Sequence, residues 1–271
     1  MKKFTFLSIA VIVAVLCATL IFNACEKNVS EQTSNSMEKN AEKKPVSAID
    51  HQKYEEVGKM LKEYFDVIKN DKDFYSIVTK EGLYKVFKKN FNLTDVDIKN
   101  LETNPYLNDI IGYAEYMLKI GKMTKKEYEF FMFIDKCGKN YDNYLSDECL
   151  KDAVIKEVKN YIENVCKDEK VTEKELACIL IGCYNFIYCI DYWFNESQDK
   201  TSKWMKLKSS NQSKGLLNCF LAMAQAYVRT YDDCMRTGKD GYDIRVGDWE
   251  ERDRECARRG VFAAAGAWMR C

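Results

Sequence analysis

Apolar residues return every third or fourth position along most of the chain, the period of helices that bury one face. Between Tyr54 and Ile68, the residues Val57, Met60, Leu61, Tyr64, Phe65 and Ile68 form one such stripe. Thr124 with Glu127, and Thr172 with Glu175, have the spacing of capping boxes, in which hydroxyl and carboxylate satisfy backbone N–H groups at a helix start. They predict helices running to about Cys137 and about Phe194. Further helices are expected near 73–90, 95–103, 105–120 and 147–166, with Gly121 as C-cap of the third. Two more are expected at Leu216–Met235 and Trp249–Arg270, the second capped by Asp248 with Glu251. Period-two alternation flanked by hairpin turns is missing. The expected fold class is therefore all-α, a helical bundle with a C-terminal disulfide-stapled antiparallel helical hairpin.

The first residues have a different pattern. Lys2 and Lys3 precede an apolar stretch from Phe4 to Phe22, and the chain turns polar from Glu26 through Lys44, which is the layout of a secretory signal. Cleavage for soluble secretion needs small residues three and one positions before the cut, and Phe22 is too large when Ala24 takes the second place. The run Phe22-Asn23-Ala24-Cys25 resembles the lipobox of bacterial lipoproteins, departing from it in Phe22, where leucine is usual, and in the polar Asn23. The resemblance implies fatty acylation, through a diacylglyceryl group, at Cys25 as residue one of the mature chain. It also implies a lipid-anchored place in the bacterial cell envelope, at the outer membrane or cell surface. The competing reading is an uncleaved anchor, because about nineteen apolar residues just span a bilayer. Both readings tether the same end.

Residues 26–46 are rich in Ser, Asn, Glu, Lys and Gln and hold Pro45, a composition that buries too little surface to fold and acts as a flexible tether. The expected organisation is a signal peptide over 1–24, a tether over 25–46, a helical body over 47–210 and a hairpin module over 211–271. The last boundary is compositional. All eight arginines lie at or after Arg229, whereas Lys239 is the only lysine after Lys214. A Ser/Asn/Gln/Lys-rich loop over 195–214 separates the two compositions. One seven-residue similarity, Lys122–Tyr128 with Lys170–Leu176, is read as two capping boxes, since a solenoid needs about three repeats.

Charge and cysteine content narrow the function. With 42 basic and 42 acidic residues the formal net charge is zero, so no global field recruits nucleic acid. Ten cysteines follow Cys25, and an even number in an exported chain reads as disulfides. No Cys-x-x-Cys pair exists and His51 is the sole histidine, so neither a metal site nor dithiol redox chemistry has its usual ligands.

In the hairpin, Cys219 and Cys234 are fifteen residues apart, as are Cys256 and Cys271, or about 22 Å along a helix. Antiparallel folding then pairs Cys234 with Cys256 near the loop and Cys219 with Cys271 at the open end. The same register sets Met223 opposite Ala267, Tyr227 opposite Ala263 and Thr230 opposite Gly260, bulky against small, which favours close approach. For Cys137, Cys149, Cys166, Cys178, Cys183 and Cys189 the pairing stays open. Cys137 to Cys149 and Cys149 to Cys189 are incompatible alternatives, and Cys149 with Cys166 is too distant within one helix.

Candidate chemistry is sparse. One histidine beside the tether leaves Ser-His-Asp and Cys-His mechanisms without a base in the body. A carboxylate pair drawn from Asp232, Asp233, Glu250, Glu251, Asp253 and Glu255 is the remaining catalytic option. These acids are expected instead to form a solvated face with Arg229, Arg252, Arg254, Arg258 and Arg259. The loop Gly238–Asp243 reads as a turn rather than a calcium loop, and the aromatic run Tyr184, Phe186, Tyr188, Tyr192, Trp193 and Phe194 as core. Ala263–Trp268 is too short to span a membrane. No cofactor motif is present. The expectation is a membrane-tethered, non-enzymatic protein that binds a protein, peptide or glycan partner. The alternative is an antibacterial toxin or bacteriocin-like effector acting through its C-terminal module, and a carboxylate enzyme comes third.

Overall fold

The computed structural model describes residues 51–106, 109–137, 147–207, 216–237 and 249–270. Cys25, the tether, the Gly238–Asp243 loop, the Asp248 cap and Cys271 lie outside the described residues. Among those described there are only helices, and the fold is all-α. The first five are α1 His51–Asn70, α2 Lys80–Phe91, α3 Asp95–Thr103, α4 Ile110–Lys119 and α5 Lys125–Lys136. They are followed by α6 Asp147–Lys167, α7 Glu173–Gln198, the short α8 Lys203–Lys206, α9 Leu216–Thr237 and α10 Trp249–Arg270. A 3-10 turn, Phe74–Val78, precedes α2.

Local signals set most helix starts. Thr124 and Thr172 accept from the N–H groups of Glu127 and Glu175, whose carboxylates accept in return from the threonine N–H groups. Thr94 and Asp97 form a third box at α3. Gly121 has a positive φ of 70°, which costs glycine nothing. The predicted helix over 73–90 is instead broken. Thr79 caps α2 by accepting from the Gly82 N–H at 3.0 Å. A Cβ on Gly82 would fall 1.8 Å from the Ser76 carbonyl oxygen, so only glycine lets the 3-10 turn close onto α2.

At the α1–α2 corner, Asp71 accepts from Lys89 Nζ at 2.8 Å, Asn90 Nδ2 at 2.6 Å and the Asp73 N–H at 2.7 Å. Burial pushes its carboxyl pKa up, but these donors outweigh burial and hold it at about 2, below the ordinary 3.8. A carboxyl depressed on folding stabilises fully above its unfolded pKa and loses that contribution as pH falls through the folded value. Asp71→Asn is therefore expected to lower the urea midpoint at neutral pH and to flatten its decline between pH 3.8 and about 2. An unchanged pH profile would remove Asp71 from the account.

Helix α7 is the spine. By length and composition it passes as a membrane span, yet 72% of its apolar window is buried inside the protein. It packs against α1, α5, α6 and α9, and being enclosed explains why it is apolar on nearly every face. The α1 stripe Val57, Leu61, Phe65 and Ile68 is buried against it. Phe65 lies within 6.0 Å of the rings of Tyr192, Trp193 and Trp204, and Trp193 stacks on Trp268 of α10 at 5.1 Å. The aromatic run of α7 is core for Phe186, Tyr192, Trp193 and Phe194, while Tyr184 and Tyr188 are half-buried.

The hairpin is part of this core. α9 packs on α7 and α10 on α1, and residues 46–271 form one compact unit. The change of composition near residue 210 thus does not coincide with a change of packing. Nor is 195–214 simply a polar loop. α7 runs on to Gln198, and α8 carries the fully buried Trp204, whose indole N–H donates to Tyr192 Oη at 3.0 Å. A single indole buries roughly 150–250 Å², enough to anchor a polar segment.

Cys234 and Cys256 are disulfide-bonded, their Cα atoms 5.4 Å apart. Cys219 sits half-buried on α9, and its predicted bond lies outside the described residues together with Cys271. The Tyr227 ring lies over Gly260, where a Cβ would meet it at 2.8 Å, one turn from the Ala263 that the simple register sets opposite. The general expectation of disulfides in the body is corrected. Cys137, Cys166, Cys178, Cys183 and Cys189 are thiols, and of these only Cys166 is not fully buried. They serve as small apolar core residues, which rules out both proposed pairings of Cys149.

Candidate functional site

Beyond the Asp71 corner, two places where charged groups meet are candidates for a site, one closed and one open. The closed one is built on α9. Asp232 and Arg236 lie one helical turn apart, so their side chains meet on one face. Arg236 Nε donates to Asp232 Oδ2 at 2.6 Å, and Tyr113 Oη of α4 donates to the same oxygen at 2.6 Å. Arg236 Nη2 lies 3.2 Å from Glu127 Oε1 of α5, and Nη1 donates to the Lys122 carbonyl. Glu127, the capping-box carboxylate, is 3% exposed. The Cys178 thiol of α7 hydrogen-bonds to it, and burial first, then the Glu127 charge, raises that thiol's pKa far above its usual value. Four helices thus converge on three buried charges.

Arg229 and Asp233, also one turn apart on α9, act on each other electrostatically. Arg229 is 1% exposed, its Nη2 donates to Thr230 Oγ1 at 2.7 Å, and its guanidinium carbon lies 6.0 Å from the Tyr113 ring centre. Burial lowers the Arg229 pKa and raises that of Asp233, each partly offset by the other's charge. Asp253 is buried too, and accepts from the Tyr231 hydroxyl. The expectation of one solvated face is thus corrected for Arg229, Asp232 and Asp253. These residues occupy the seam between helices; Asp232 and Asp253 have partners there, whereas Arg229 Nε and Nη1 are buried without a hydrogen-bond partner.

The remaining candidates follow the expected pattern more closely. Glu251, Arg254 and Glu255 are exposed, and the Glu250 side chain lies outside the described residues. Arg259 bridges Asp97 at 2.7 Å and Glu255 at 2.6 Å, and Arg258 lies 5.7 Å from the Tyr64 ring centre. Arg252 donates to the Cys234 and Met235 carbonyls at 3.2 and 2.6 Å, placing a cation on the negative end of α9.

This network has little spare chemical capacity. Asp232 and Glu127 already accept from Tyr113, Arg236 and the α5 cap. Burial pushes the Cys137 thiol up to about 12 and those of Cys183 and Cys189 well up as well, so they stay protonated and weakly nucleophilic at neutral pH. Among the described residues, no group of three or more His, Cys, Asp or Glu is placed to hold a metal ion.

The open place is a cavity of about 340 Å³ where the 3-10 turn, α2, α3 and α10 meet, at the small end of ligand-binding pockets. Its walls include Ile77, Val78, Leu83, Tyr84, Leu101 and Phe262, and its charged lining is Lys80, Glu102 and Arg270. Lys80 holds Glu102 at 2.6 Å. Gly266 of α10 completes the wall, and a Cβ there would meet nothing closer than Arg270 Nη1 at 3.5 Å. Sequence reasoning missed this site because its residues come from four elements whose junction no local motif announces. The chain matches no protein-family model, and comparisons with curated proteins and with solved structures found no match.

Proposed function

We propose that this chain is an exported bacterial lipoprotein, tethered through a lipid on Cys25, whose helical body binds a ligand without transforming it. The observation that carries the binding reading is the contrast between the two charged places. The buried carboxylates are committed to Arg236 and Tyr113, whereas the cavity by α2 and α10 is open and walled mainly by apolar side chains. Export is supported by the Cys234–Cys256 bond, since such bonds persist outside a reducing cytoplasm. The buried thiols are compatible with that compartment, because burial keeps them from becoming thiolates. The effector reading gains nothing from a hairpin that shares its core with α1 and α7.

The test is peptide-level mass spectrometry of the chain recovered from membranes without reduction, alongside the Cys25→Ser variant. The expected result is a diacylglyceryl-modified N-terminal cysteine peptide in the parent and release of the variant from the membrane fraction. An unmodified Cys25 together with reduced Cys234 and Cys256 would overturn the reading.

A further inference from the structure

We infer that the cavity between α2, α3 and α10 binds an uncharged aromatic carbonyl compound, whose ring lies against the apolar walls and whose single oxygen accepts from the Tyr84 hydroxyl. The inference rests on the binding-protein reading and names the ligand class. The walls dictate the apolar part. Leu83, Leu101 and Phe262 are almost fully buried, and the Tyr84 and Phe262 rings lie 5.9 Å apart, so a guest displaces water from hydrocarbon and ring surface. Ring surface in the wall favours an aromatic guest over a plain chain, because aromatic pairs add edge and offset contacts to the area they bury.

The oxygen follows from a polar group of the wall that has no partner. The Thr79 hydroxyl donates to the Ser76 carbonyl at 3.2 Å while accepting from the Gly82 N–H at 3.0 Å, and Lys80 and Glu102 hold each other at 2.6 Å. The Tyr84 hydroxyl, in contrast, is buried without a hydrogen-bond partner. Ser76 Oγ is unpartnered too, but Ser76 is not among the wall residues. A buried hydroxyl left unpaired forfeits the bond it would make with water. The phenol has one O–H to donate, and a carbonyl oxygen restores that bond. Tyr84 as a whole is half-buried, and its ring is held by Phe262 and by Lys80 Nζ, 5.4 Å from the ring centre, rather than by a hydrogen bond. A turn of the side chain therefore brings the hydroxyl to a guest. Charge selects against ions. Lys80 is paired with Glu102, and Arg270 is engaged as well, so the lining has no uncompensated charge to offset the desolvation of an ionic guest.

The experiment titrates the full-length, oxidised protein by calorimetry with probes of nearly the same shape: acetophenone, ethylbenzene, benzoate and 1-phenylethylammonium. Saturable acetophenone binding is expected, about tenfold tighter than ethylbenzene, as one hydrogen bond to a buried partner provides, with both ions weaker than acetophenone. Tyr84→Phe should remove that preference, leave ethylbenzene binding unchanged and keep the melting temperature of the parent, since it deletes a hydroxyl that bonds to nothing in the protein. Gly266→Leu fills the cavity from a position with room for a side chain, and should abolish binding of both neutral probes while leaving the far-UV spectrum and melting temperature near those of the parent. The inference is overturned by absence of saturable acetophenone binding, by ethylbenzene or either ion binding as tightly, by a preference that persists in Tyr84→Phe, or by binding that survives Gly266→Leu. Because Cys25 lipidation is read separately, a lipidated protein that ignores every probe would sink the ligand assignment alone.

Discussion

Arg236→Leu is expected to destabilise the folded chain by about 3–5 kcal/mol, the usual cost of removing one partner from a buried ion pair. The arginine side chain is only 5% exposed, and it answers two carboxylates, Glu127 and Asp232, whose side chains are 4% and 8% exposed. Removing it strands both charges in a setting that cannot solvate them. It also takes the donor from the Lys122 carbonyl, loosening the turn between α4 and α5. The loss is read from urea unfolding of the oxidised protein. A triple variant, Glu127→Gln with Asp232→Asn and Arg236→Met, should lose less than the single one, because no charge is left unpaired. Glutamine preserves the capping box of α5, and asparagine still accepts from Tyr113. A single-variant loss below about 1 kcal/mol would mean that water reaches the cluster, a surface-like value.

Breaking the staple is the other large effect. Cys234 and Cys256 are separated by 22 residues, and constraining a loop of that length in the unfolded chain is worth about 3 kcal/mol. Cys234→Ala with Cys256→Ala is expected to lower the unfolding free energy by about that amount. The effect acts mainly through the unfolded ensemble, so the double variant should keep the helical content of the parent. Equal urea midpoints for reduced and oxidised parent would contradict it. Alanine is preferred to serine here because Cys256 is fully buried, and a buried hydroxyl would add its own penalty.

The sequence by itself determined what depends on near neighbours. Period and capping placed α1, α3, α5, α6, α7, α9 and α10 close to their observed bounds, because a helix start is decided within four residues. The Cys234–Cys256 pairing was legible for a related reason: two long helices joined by a short loop have few registers. Tertiary structure decided everything that depends on which side chains meet across elements. A polar stretch gained the core residue Trp204 because α1 and α7 offered Phe65 and Trp193 to pack on. Glu127 looked like a cap and nothing more, yet the helix crossing brought Arg236 to it. Asp232 and Asp253, which looked like surface acids, became core residues where Tyr113, Arg236 and Tyr231 supplied partners. The cavity belongs to the same class, since Leu83, Leu101 and Phe262 on three helices become neighbours only when the chain closes, and local periodicity has no term for a junction between elements distant in sequence.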